Sequence, residues 1–206
     1  MPRLENKVVL LSGGASGIGA ATARMIVREG GKAVLADRDE AKGQALAAEL
    51  GASAHFVPLD VVREDSWQAA IAASVEKFGA LHGLLNAAGV GVRNSIEDCT
   101  LAEYRRVNDI NSLGTFLGCK HAIPAIKESG GGSIVNISSV LGLRGASYAM
   151  AYCASKGAVR TLTKNVALHC PQQKYTIRCN SVHPGYIDTP IIGLVTENIY
   201  HAGKLV

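Results

Sequence analysis

The stretch Lys7-Val8-Val9-Leu10-Leu11-Ser12-Gly13-Gly14-Ala15-Ser16-Gly17-Ile18-Gly19 decides the fold. An apolar run of strand length breaks into a glycine-rich turn, and a helical pattern follows, so the stretch predicts a strand, a turn and a helix. Glycines let the backbone turn tightly and approach a pyrophosphate, while the free amides at the helix N-terminus attract the anion. The alternative is an ordinary strand-to-helix turn that binds nothing.

The second apolar run, Lys32 to Asp37, ends on a carboxylate. A carboxylate at this place in a dinucleotide-binding unit accepts hydrogen bonds from ribose hydroxyls and repels a 2′-phosphate, which favours NAD over NADP. Arg38 adjoins it and offers a phosphate ligand instead, but Ser16 supplies no cation to the glycine turn. Asp37 also suits a turn or capping position before a helix that begins near Asp39-Glu40.

Tyr152 and Lys156 are four residues apart in a predicted helix over 152–169, so the phenol and the ammonium share one face. A neighbouring cation favours phenolate, and we therefore expect Lys156 to lower the pKa of Tyr152 from about 10 towards the working pH. Ser139 follows the strand-like run 133–138 upstream of this pair. Such a pair is also common on solvated helix faces, but together with the glycine turn it predicts a proton-transfer site.

Strand-like runs at 7–12, 32–37, 54–60, 81–86, 133–138 and 176–183 alternate with helical patterns. Apolar strands that alternate with helices predict a parallel sheet covered on both faces, and right-handed crossovers make it a doubly wound α/β fold. We expect residues 1–206 to form one domain, with the site at the carboxyl ends of the strands. Ser129-Gly130-Gly131-Gly132 predicts a helix stop before the fifth strand.

Four motifs resemble those of the short-chain dehydrogenase/reductase family, in order and spacing, from Leu4 to about Pro190. The segment Ser12 to Gly19 resembles the family's Thr-Gly-x-x-x-Gly-x-Gly with serine in place of threonine, and Asp60-Val61 resembles its adenine-binding pair. Asn86-Ala87-Ala88-Gly89 resembles Asn-Asn-Ala-Gly without its second asparagine, which puts one side-chain bond of the central sheet in doubt. The fourth motif is the serine, tyrosine and lysine set described above. The resemblance implies a Rossmann fold and NAD-dependent oxidation and reduction.

The resemblance also assigns site residues. It implies four catalytic residues, namely Asn111, Ser139, Tyr152 and Lys156. It implies that the cofactor is bound by Gly13, Ser16, Gly17, Ile18, Gly19, Asp37, Arg38, Asp60, Val61, Asn86, Ala87, Gly89, Tyr152, Lys156, Pro184, Gly185, Ile187 and Thr189. It implies that the substrate meets Ser139, Leu141, Tyr148, Tyr152 and Tyr186, and it implies no metal.

Two of these assignments have competitors close by in the sequence. Asn108 competes with Asn111, which is preferred because the family-like segment Gly114-Thr115-Phe116-Leu117-Gly118 follows it. Ser138 competes with Ser139, which is preferred by its spacing to Tyr152, so that Ser138 would flank the nicotinamide.

The function that the resemblance implies is reversible hydride transfer between NAD and a secondary alcohol. Tyr152 takes the hydroxyl proton, Ser139 binds the substrate oxygen, Lys156 stabilises the phenolate and holds the nicotinamide ribose, and Asn111 supports a water that passes the proton to solvent. The cofactor segment 184–190 could also be a simple turn after a strand.

The edge of the predicted pocket, which includes Val90 and Val140, is mostly apolar. It favours an uncharged hydrophobic alcohol or ketone, and a loose likeness over 175–184 favours hydroxysteroids and cyclic alcohols. Sugars, acyl thioesters and quinones remain open. Arg93 and Arg144 either serve an anionic group or are solvated surface charges.

Two other functions compete with a dehydrogenase. The fold also suits an NAD-binding regulatory protein or a truncated, catalytically impaired one, and more weakly a sugar-nucleotide epimerase. Family members continue beyond Pro184-Gly185 through a substrate-covering loop, a helix and a seventh strand, so we expect this chain to lack that helix and strand.

The composition fits a cytoplasmic enzyme. The chain has 206 residues, 48% of them apolar and 18% charged, with a formal net charge of +4, and it shows no basic face for nucleic acid and no membrane segment. Its five cysteines form no C-x-x-C pair, which favours reduced thiols over disulfides or a zinc site. Small residues along helix 152–169 pack either within the chain or, as the resemblance implies, in a homodimer or homotetramer.

Overall fold

The strands and helices alternate along the chain, as the apolar runs predict. The computed structural model describes residues 2–191. Its strands are β1 Val8–Ser12, β2 Lys32–Asp37, β3 Ala54–Pro58, β4 Gly83–Asn86, β5 Gly132–Ile137 and β6 Ile177–Val182. Its helices are α1 Gly17–Arg28, α2 Glu40–Leu50, α3 Glu64–Phe78, α4 Leu101–Asn108, α5 Gly114–Glu128 and α6 Met150–Gln172. A π turn, Asp109–Leu113, joins α4 to α5.

All six strands lie parallel in one sheet of order β3-β2-β1-β4-β5-β6. The strand order runs outward in both directions from the pair β1 and β4, so a crevice opens between the loops that follow these two strands. The predicted doubly wound α/β fold is confirmed.

Two apolar layers cover the sheet because neighbouring residues of a strand point to opposite faces. Leu10 lies in the larger layer, which is built with Trp67 of α3 and apolar side chains of α5 and α6. Leu11 lies in the smaller layer, against α1 and α2. Both leucines are fully buried, which explains why β1 is apolar at consecutive positions.

Strand boundaries differ from the prediction by one or two residues. β3 ends at Pro58 because the chain turns at Asp60, whose carboxylate accepts a hydrogen bond from the N–H of Val62 at 3.2 Å. β4 begins at Gly83 rather than residue 81. Here the imidazole Nδ1 of His82, rather than a backbone carbonyl, accepts the N–H of Val8 at 3.1 Å.

The helix ends follow local sequence signals. Asp39 caps α2 by accepting the N–H of Lys42 at 3.1 Å, which confirms the predicted helix start. Thr100 and Glu103 form a reciprocal capping box at α4. The chain after α5 passes through Gly130 and Gly131 at positive φ, as the glycine run predicts.

A row of buried polar residues crosses the central strands. Ser12, Asn86 and Asn136 are aligned in register at the carboxyl ends of β1, β4 and β5. The amide of Asn86 donates to Asn136 Oδ1 at 2.8 Å, and Asn136 donates to the hydroxyl of Thr163 at 3.0 Å. This chain of hydrogen bonds fixes α6 against the sheet.

Three further features bear on the sequence predictions. All five cysteines are free thiols, and Cys119, Cys170 and Cys179 are buried. Across residues 2–191, no helix combines the length and the apolar character needed to span a membrane. The prediction of a missing final helix and seventh strand concerns the chain beyond Ile191, outside the described residues.

We expect Gly118→Ala to destabilise the protein by about 1–3 kcal/mol, because a Cβ there would overpack a rigid buried site. It would meet Asn86 Oδ1 and would lie 2.7 Å from Cη2 of Trp67. Urea unfolding followed by circular dichroism measures the change. Gly145→Ala is the control, since its Cβ meets nothing within 4 Å; equal midpoints for both variants would contradict this account of the packing.

Candidate active site

A cleft of about 380 Å³ opens at the carboxyl edge of the sheet. Most of the predicted site residues line it, namely Gly13, Ser16, Gly17, Ile18, Gly19, Asp37, Arg38, Asp60, Val61, Ala87, Gly89, Ser139, Leu141, Tyr148, Tyr152, Lys156, Pro184, Gly185, Tyr186, Ile187 and Thr189. Asn86 and Asn111 do not line it. The fold therefore brings segments from both halves of the chain to one cavity.

The glycine turn lines the cleft through Gly13 and residues 16–19. Gly13 has φ +68°, and a Cβ there would lie 2.7 Å from the backbone nitrogen of Ala88. A Cβ at Gly19 would meet the carbonyl oxygen of Gly13. Ser16 precedes α1 without a side-chain capping bond, so the first amides of the helix are left for a ligand. These features fit a pyrophosphate.

Asp37 serves both the turn and the cleft. One carboxylate oxygen accepts the N–H of Ala15 at 3.0 Å and the other accepts the N–H of Asp39 at 3.1 Å. A carboxylate can accept about four hydrogen bonds, so capacity remains for ribose hydroxyls. The capping role belongs to Asp39, not to Asp37.

The phenol of Tyr152 lies half-buried beside Ser139. Burial raises the pKa of Tyr152 above its ordinary value, and the hydrogen bond with the Ser139 side chain opposes that rise only partly. This direction is opposite to the expected lowering by Lys156. Desolvation of the phenol is the largest influence on this pKa, and Lys156 Nζ lies 5.6 Å from the centre of the ring.

Lys156 is a buried cation. Its side chain is 4% exposed, and Nζ donates to the carbonyl oxygen of Ile137 at 2.8 Å. Burial lowers its pKa from 10.5 to about 8. The hydroxyl of Ser138 donates to the backbone carbonyl of Lys156 at 2.8 Å, which holds this turn of α6 against the end of β5.

Asn111 lies behind the cleft rather than in it. Its amide nitrogen donates to the carbonyl of Val90 and to the hydroxyl of Ser155, each at 2.9 Å, and its Oδ1 accepts the N–H of Val90 at 2.8 Å. A Cβ at Gly89 would lie 3.2 Å from Asn111 and 3.5 Å from Lys156 Nζ. The side chain thus positions the loop after β4, and the π turn allows this inward placement.

Asn108 differs from Asn111 in its surroundings. Its side-chain amide donates to the carbonyl of Tyr104 within its own helix at 2.8 Å. It lies in a shallow surface groove with Phe116 and Leu162 and does not line the cleft.

Asn86 does not line the cleft, and its role with the cofactor stays a prediction. Its side chain is 3% exposed and runs into the core towards Asn136, because the carboxyl end of β4 turns it to the larger apolar layer. Among the described residues, its Oδ1 has no hydrogen-bond partner. Ala87 takes the place of the family's second asparagine, and its methyl side chain cannot donate a hydrogen bond to this oxygen. Residues 87–89 do line the cleft.

The segment 184–190 covers the glycine turn. The side chain of Thr189 approaches Gly17 closely enough that a Cβ at Gly17 would lie 3.2 Å from its methyl group. The hydroxyl of Thr189 donates to the carbonyl of Ile187 at 3.2 Å. The N–H of Val140 donates to the carbonyl of Pro184 at 3.0 Å, which ties the segment to the loop that carries Ser139.

The outer edge of the cleft carries two phenols and two guanidinium groups. The hydroxyls of Tyr148 and Tyr186 lie 3.1 Å apart. The guanidinium carbon of Arg93 lies 5.1 Å from the centre of the Tyr148 ring. Arg144 also lines the cleft.

Sequence reasoning missed residues that support the site. His183 lies 3.1 Å through Nδ1 from the carbonyl of Ser139 and 2.9 Å through Nε2 from the hydroxyl of Ser181. Asn136 links the sheet to α6, and a polar residue inside an apolar strand was the available signal. Val92 and Ile110 also line the cleft, and no sequence motif predicts their position there. No three potential metal ligands cluster anywhere in residues 2–191.

Comparison with known proteins agrees with this geometry. The short chain dehydrogenase family profile matches residues 7–199. A 3-alpha-(or 20-beta)-hydroxysteroid dehydrogenase of Mycobacterium tuberculosis is 46% identical over 96% of this chain and 75% of its own length. The trans-4-hydroxycyclohexanecarboxylate dehydrogenase of Sinomonas cyclohexanicum is 45% identical over 92% of this chain and 75% of its own length. An NADP-dependent (R)-specific alcohol dehydrogenase of Lentilactobacillus kefiri is 40% identical over 92% and 77%.

We expect Lys156→Met to stabilise the protein without added dinucleotide at pH 7. The folded-state pKa of about 8 lies below the ordinary 10.5, so burial costs stability below pH 8 and this cost vanishes as the pH rises to about 10.5. Removing the buried charge should stabilise the folded state by roughly 3 kcal/mol. The variant also loses the hydrogen bond to Ile137, which reduces this gain by about 1 kcal/mol. Urea unfolding at pH 7 and pH 10 measures the gain, with the exposed Lys77→Met as control. A gain independent of pH would contradict the assigned cause.

Proposed function

This chain belongs to the short chain dehydrogenase family, and on that premise we propose that it transfers a hydride between NAD and a hydrophobic secondary alcohol or ketone. One observation carries the proposal: Ser139, Tyr152 and Lys156 line the same cleft as the glycine turn and Asp37. The cleft thus offers proton-transfer groups at one end and dinucleotide-binding groups at the other.

The cleft suits a nicotinamide dinucleotide, the cofactor class of this family. Gly13, Gly17 and the amides of α1 would hold the pyrophosphate, Asp37 the adenosine ribose, and Asp60-Val61 the adenine. The bound dinucleotide supplies the hydride acceptor in oxidation and the hydride donor in reduction.

The protein's own groups move the proton. In oxidation, the phenolate oxygen of Tyr152 takes the substrate hydroxyl proton, while the Ser139 hydroxyl donates to the substrate oxygen. The ammonium of Lys156 stabilises the phenolate and binds the nicotinamide ribose. Burial is the largest influence that raises the pKa of Tyr152, and a positive charge on Lys156 would offset part of this desolvation of the phenolate. Asn111 positions the loop at Val90 and supports the route by which a water exchanges the proton with solvent.

The substrate class follows from the walls of the cleft. Val90, Val92, Val140 and Leu141 present apolar side chains to the cleft that Ser139 also lines. The hydroxysteroid and the hydroxycyclohexanecarboxylate dehydrogenases described above are named for hydroxyl groups on saturated rings. We therefore favour a hydroxysteroid or another cyclic secondary alcohol as the substrate of this chain.

Asp37 supports NAD over NADP. Its carboxylate lines the cleft where a 2′-phosphate would lie, and like charges repel. A relative of this chain is named as NADP-dependent, so both choices occur among similar sequences. Arg38 beside Asp37 offers the competing contact.

We also propose that the enzyme works as a homodimer or homotetramer in the cytoplasm. Leu113 and Phe116 are 39% and 45% exposed and lie beside Ala158 and Leu162 of α6. An exposed apolar surface of this kind suits a second copy. The free thiols suit a reducing compartment.

Tyr152→Phe is expected to lower turnover at least 100-fold, because it removes the group that accepts and returns the proton. The dissociation constant for NAD, measured by calorimetry, should stay unchanged. NADH formation at 340 nm with a panel of cyclic alcohols provides the readout. Tyr175→Phe is the matched control, since that ring packs against His169, away from the cleft. Full activity of Tyr152→Phe would refute its assigned role, and NAD binding without turnover in the wild type would favour a regulatory protein.

Asp37→Asn is expected to lower the ratio of kcat/KM for NAD to that for NADP by at least about tenfold, because it removes the repulsion of the 2′-phosphate. Asp39→Asn is the control, because the neighbouring carboxylate caps α2 and asparagine caps equally well. Parallel assays with both dinucleotides give the ratio. An unchanged ratio would mean that Asp37 does not select the cofactor.

A further inference from the structure

A histidine behind the cleft contacts the loop that carries Ser139. His183 directly follows β6 and is half-buried, but it does not line the cleft. Its imidazole Nδ1 lies 3.1 Å from the carbonyl oxygen of Ser139, and its Nε2 lies 2.9 Å from the hydroxyl oxygen of Ser181. The proton transfer proposed above does not use this side chain.

The contacts of the imidazole determine which nitrogen carries the hydrogen. A backbone carbonyl can only accept a hydrogen bond, so Nδ1 is the donor to Ser139. In the neutral ring Nε2 is then an acceptor, and the hydroxyl of Ser181 donates to it. Ser181 therefore fixes the orientation of the ring, and the ring binds the carbonyl of Ser139.

The peptide group between Ser139 and Val140 is bound at both of its polar ends. Its carbonyl oxygen accepts the Nδ1–H of His183, and its N–H donates to the carbonyl of Pro184 at 3.0 Å. The carbonyl oxygen also accepts the N–H of Gly142 at 2.9 Å, within the same loop. A carbonyl has two lone pairs, so these two donors satisfy it. Only the bonds to His183 and Pro184 connect this peptide group to the chain after β6.

The orientation of this peptide group determines where the Ser139 hydroxyl lies. Ser139 is extended, with φ −166° and ψ 159°, and its side chain is buried. Its hydroxyl oxygen accepts the N–H of Leu141 at 3.1 Å, so the hydroxyl hydrogen stays available as a donor. A tilt of the peptide that follows Ser139 would move the Leu141 amide, and the hydroxyl would leave its place beside Tyr152.

We propose that His183 is a positioning residue for the hydride transfer: its Nδ1–H holds the peptide after Ser139 so that the serine hydroxyl donates to the substrate oxygen beside Tyr152. The inference rests on the proposed function, which gives Ser139 its role. His183 exchanges no proton with the substrate, since it lies outside the cleft. Its loss should therefore lower the rate of the reaction rather than the affinity for the cofactor.

His183→Leu removes both ring nitrogens and is expected to lower kcat about 10- to 100-fold, because a displacement of about 1 Å near the reacting atoms has an effect of this order. NADH formation with the panel of cyclic alcohols at saturating NAD measures kcat, and calorimetry should give an unchanged dissociation constant for NAD. His55→Leu is the matched control, since it removes another half-buried imidazole, on β3, outside the cleft.

His183→Asn distinguishes the lost hydrogen bond from lost packing. The Nδ2 of an asparagine lies two bonds from Cβ, as does the Nδ1 of a histidine, so this amide can donate to the same carbonyl. We expect His183→Asn to recover most of the kcat that His183→Leu loses. Equally low kcat in both variants, with urea midpoints equal to that of the wild type, would show that the hydrogen bond is not the cause.

A double-mutant cycle tests whether His183 acts through Ser139. In a Ser139→Ala background, His183→Leu should lower kcat no further, because the hydroxyl that it positions is gone. The same fold-loss in both backgrounds would mean that His183 acts elsewhere, such as on segment 184–190, and would overturn the inference.

The pKa of Tyr152 provides a readout that needs no turnover. The hydrogen bond with the Ser139 side chain lowers this pKa, so His183→Leu should raise it and His183→Asn should leave it near the wild-type value. Alkaline titration of the phenolate absorbance measures it, as the difference between each protein and the same protein with Tyr152→Phe. An unchanged pKa of Tyr152 in His183→Leu would contradict the positioning role.

The outcomes separate the two proposals. Wild-type kcat in His183→Leu would overturn the positioning role and leave the dehydrogenase proposal intact. Absence of turnover by the wild type with every alcohol and both dinucleotides would overturn the proposed function, and the titration would still decide whether His183 holds Ser139 beside Tyr152.

Discussion

The hydrogen bonds from Asn86 to Asn136 and from Asn136 to Thr163 are the interaction on which the site depends. They connect β4, β5 and α6 inside the core, where an unmade bond costs about 1–3 kcal/mol. Thr163 shares the buried face of α6 with Lys156, two helical turns away. Sliding α6 along the sheet would break these bonds and displace Lys156 and Tyr152 from Ser139, so the core network sets the geometry of the proton-transfer groups.

The buried ammonium of Lys156 illustrates how function opposes stability in this fold. Its desolvation lowers its own pKa to about 8, and burial raises the pKa of Tyr152. Both shifts disfavour the charged forms, an ammonium beside a phenolate, that the proposed mechanism uses. The protein keeps the pair because α6 places both side chains on one cleft wall, and the bond from Lys156 to the Ile137 carbonyl holds the ammonium there.

Backbone forms one part of the cleft, and side chains from loops form another. The part of the cleft proposed to bind the dinucleotide is formed by backbone, because the turn at Gly13 and the close approach at Gly19 leave no space for a side chain. The part of the cleft proposed to bind the substrate is lined by side chains carried on loops, such as Tyr148 and Tyr186. Since loop side chains change without disturbing the sheet, relatives that share the fold can bear names for different alcohols.

The sequence alone determined the six parallel strands, the glycine turn, the carboxylate at Asp37 and the shared helix face of Tyr152 and Lys156. These features follow from local patterns, since apolar runs and four-residue spacing act over short stretches of chain. Only the tertiary structure decided that Asn86 and Asn111 lie behind the cleft, that His183 contacts the carbonyl of Ser139, and that burial raises the pKa of Tyr152. Those outcomes depend on which distant segments meet and how much water they exclude, and no local pattern encodes either quantity.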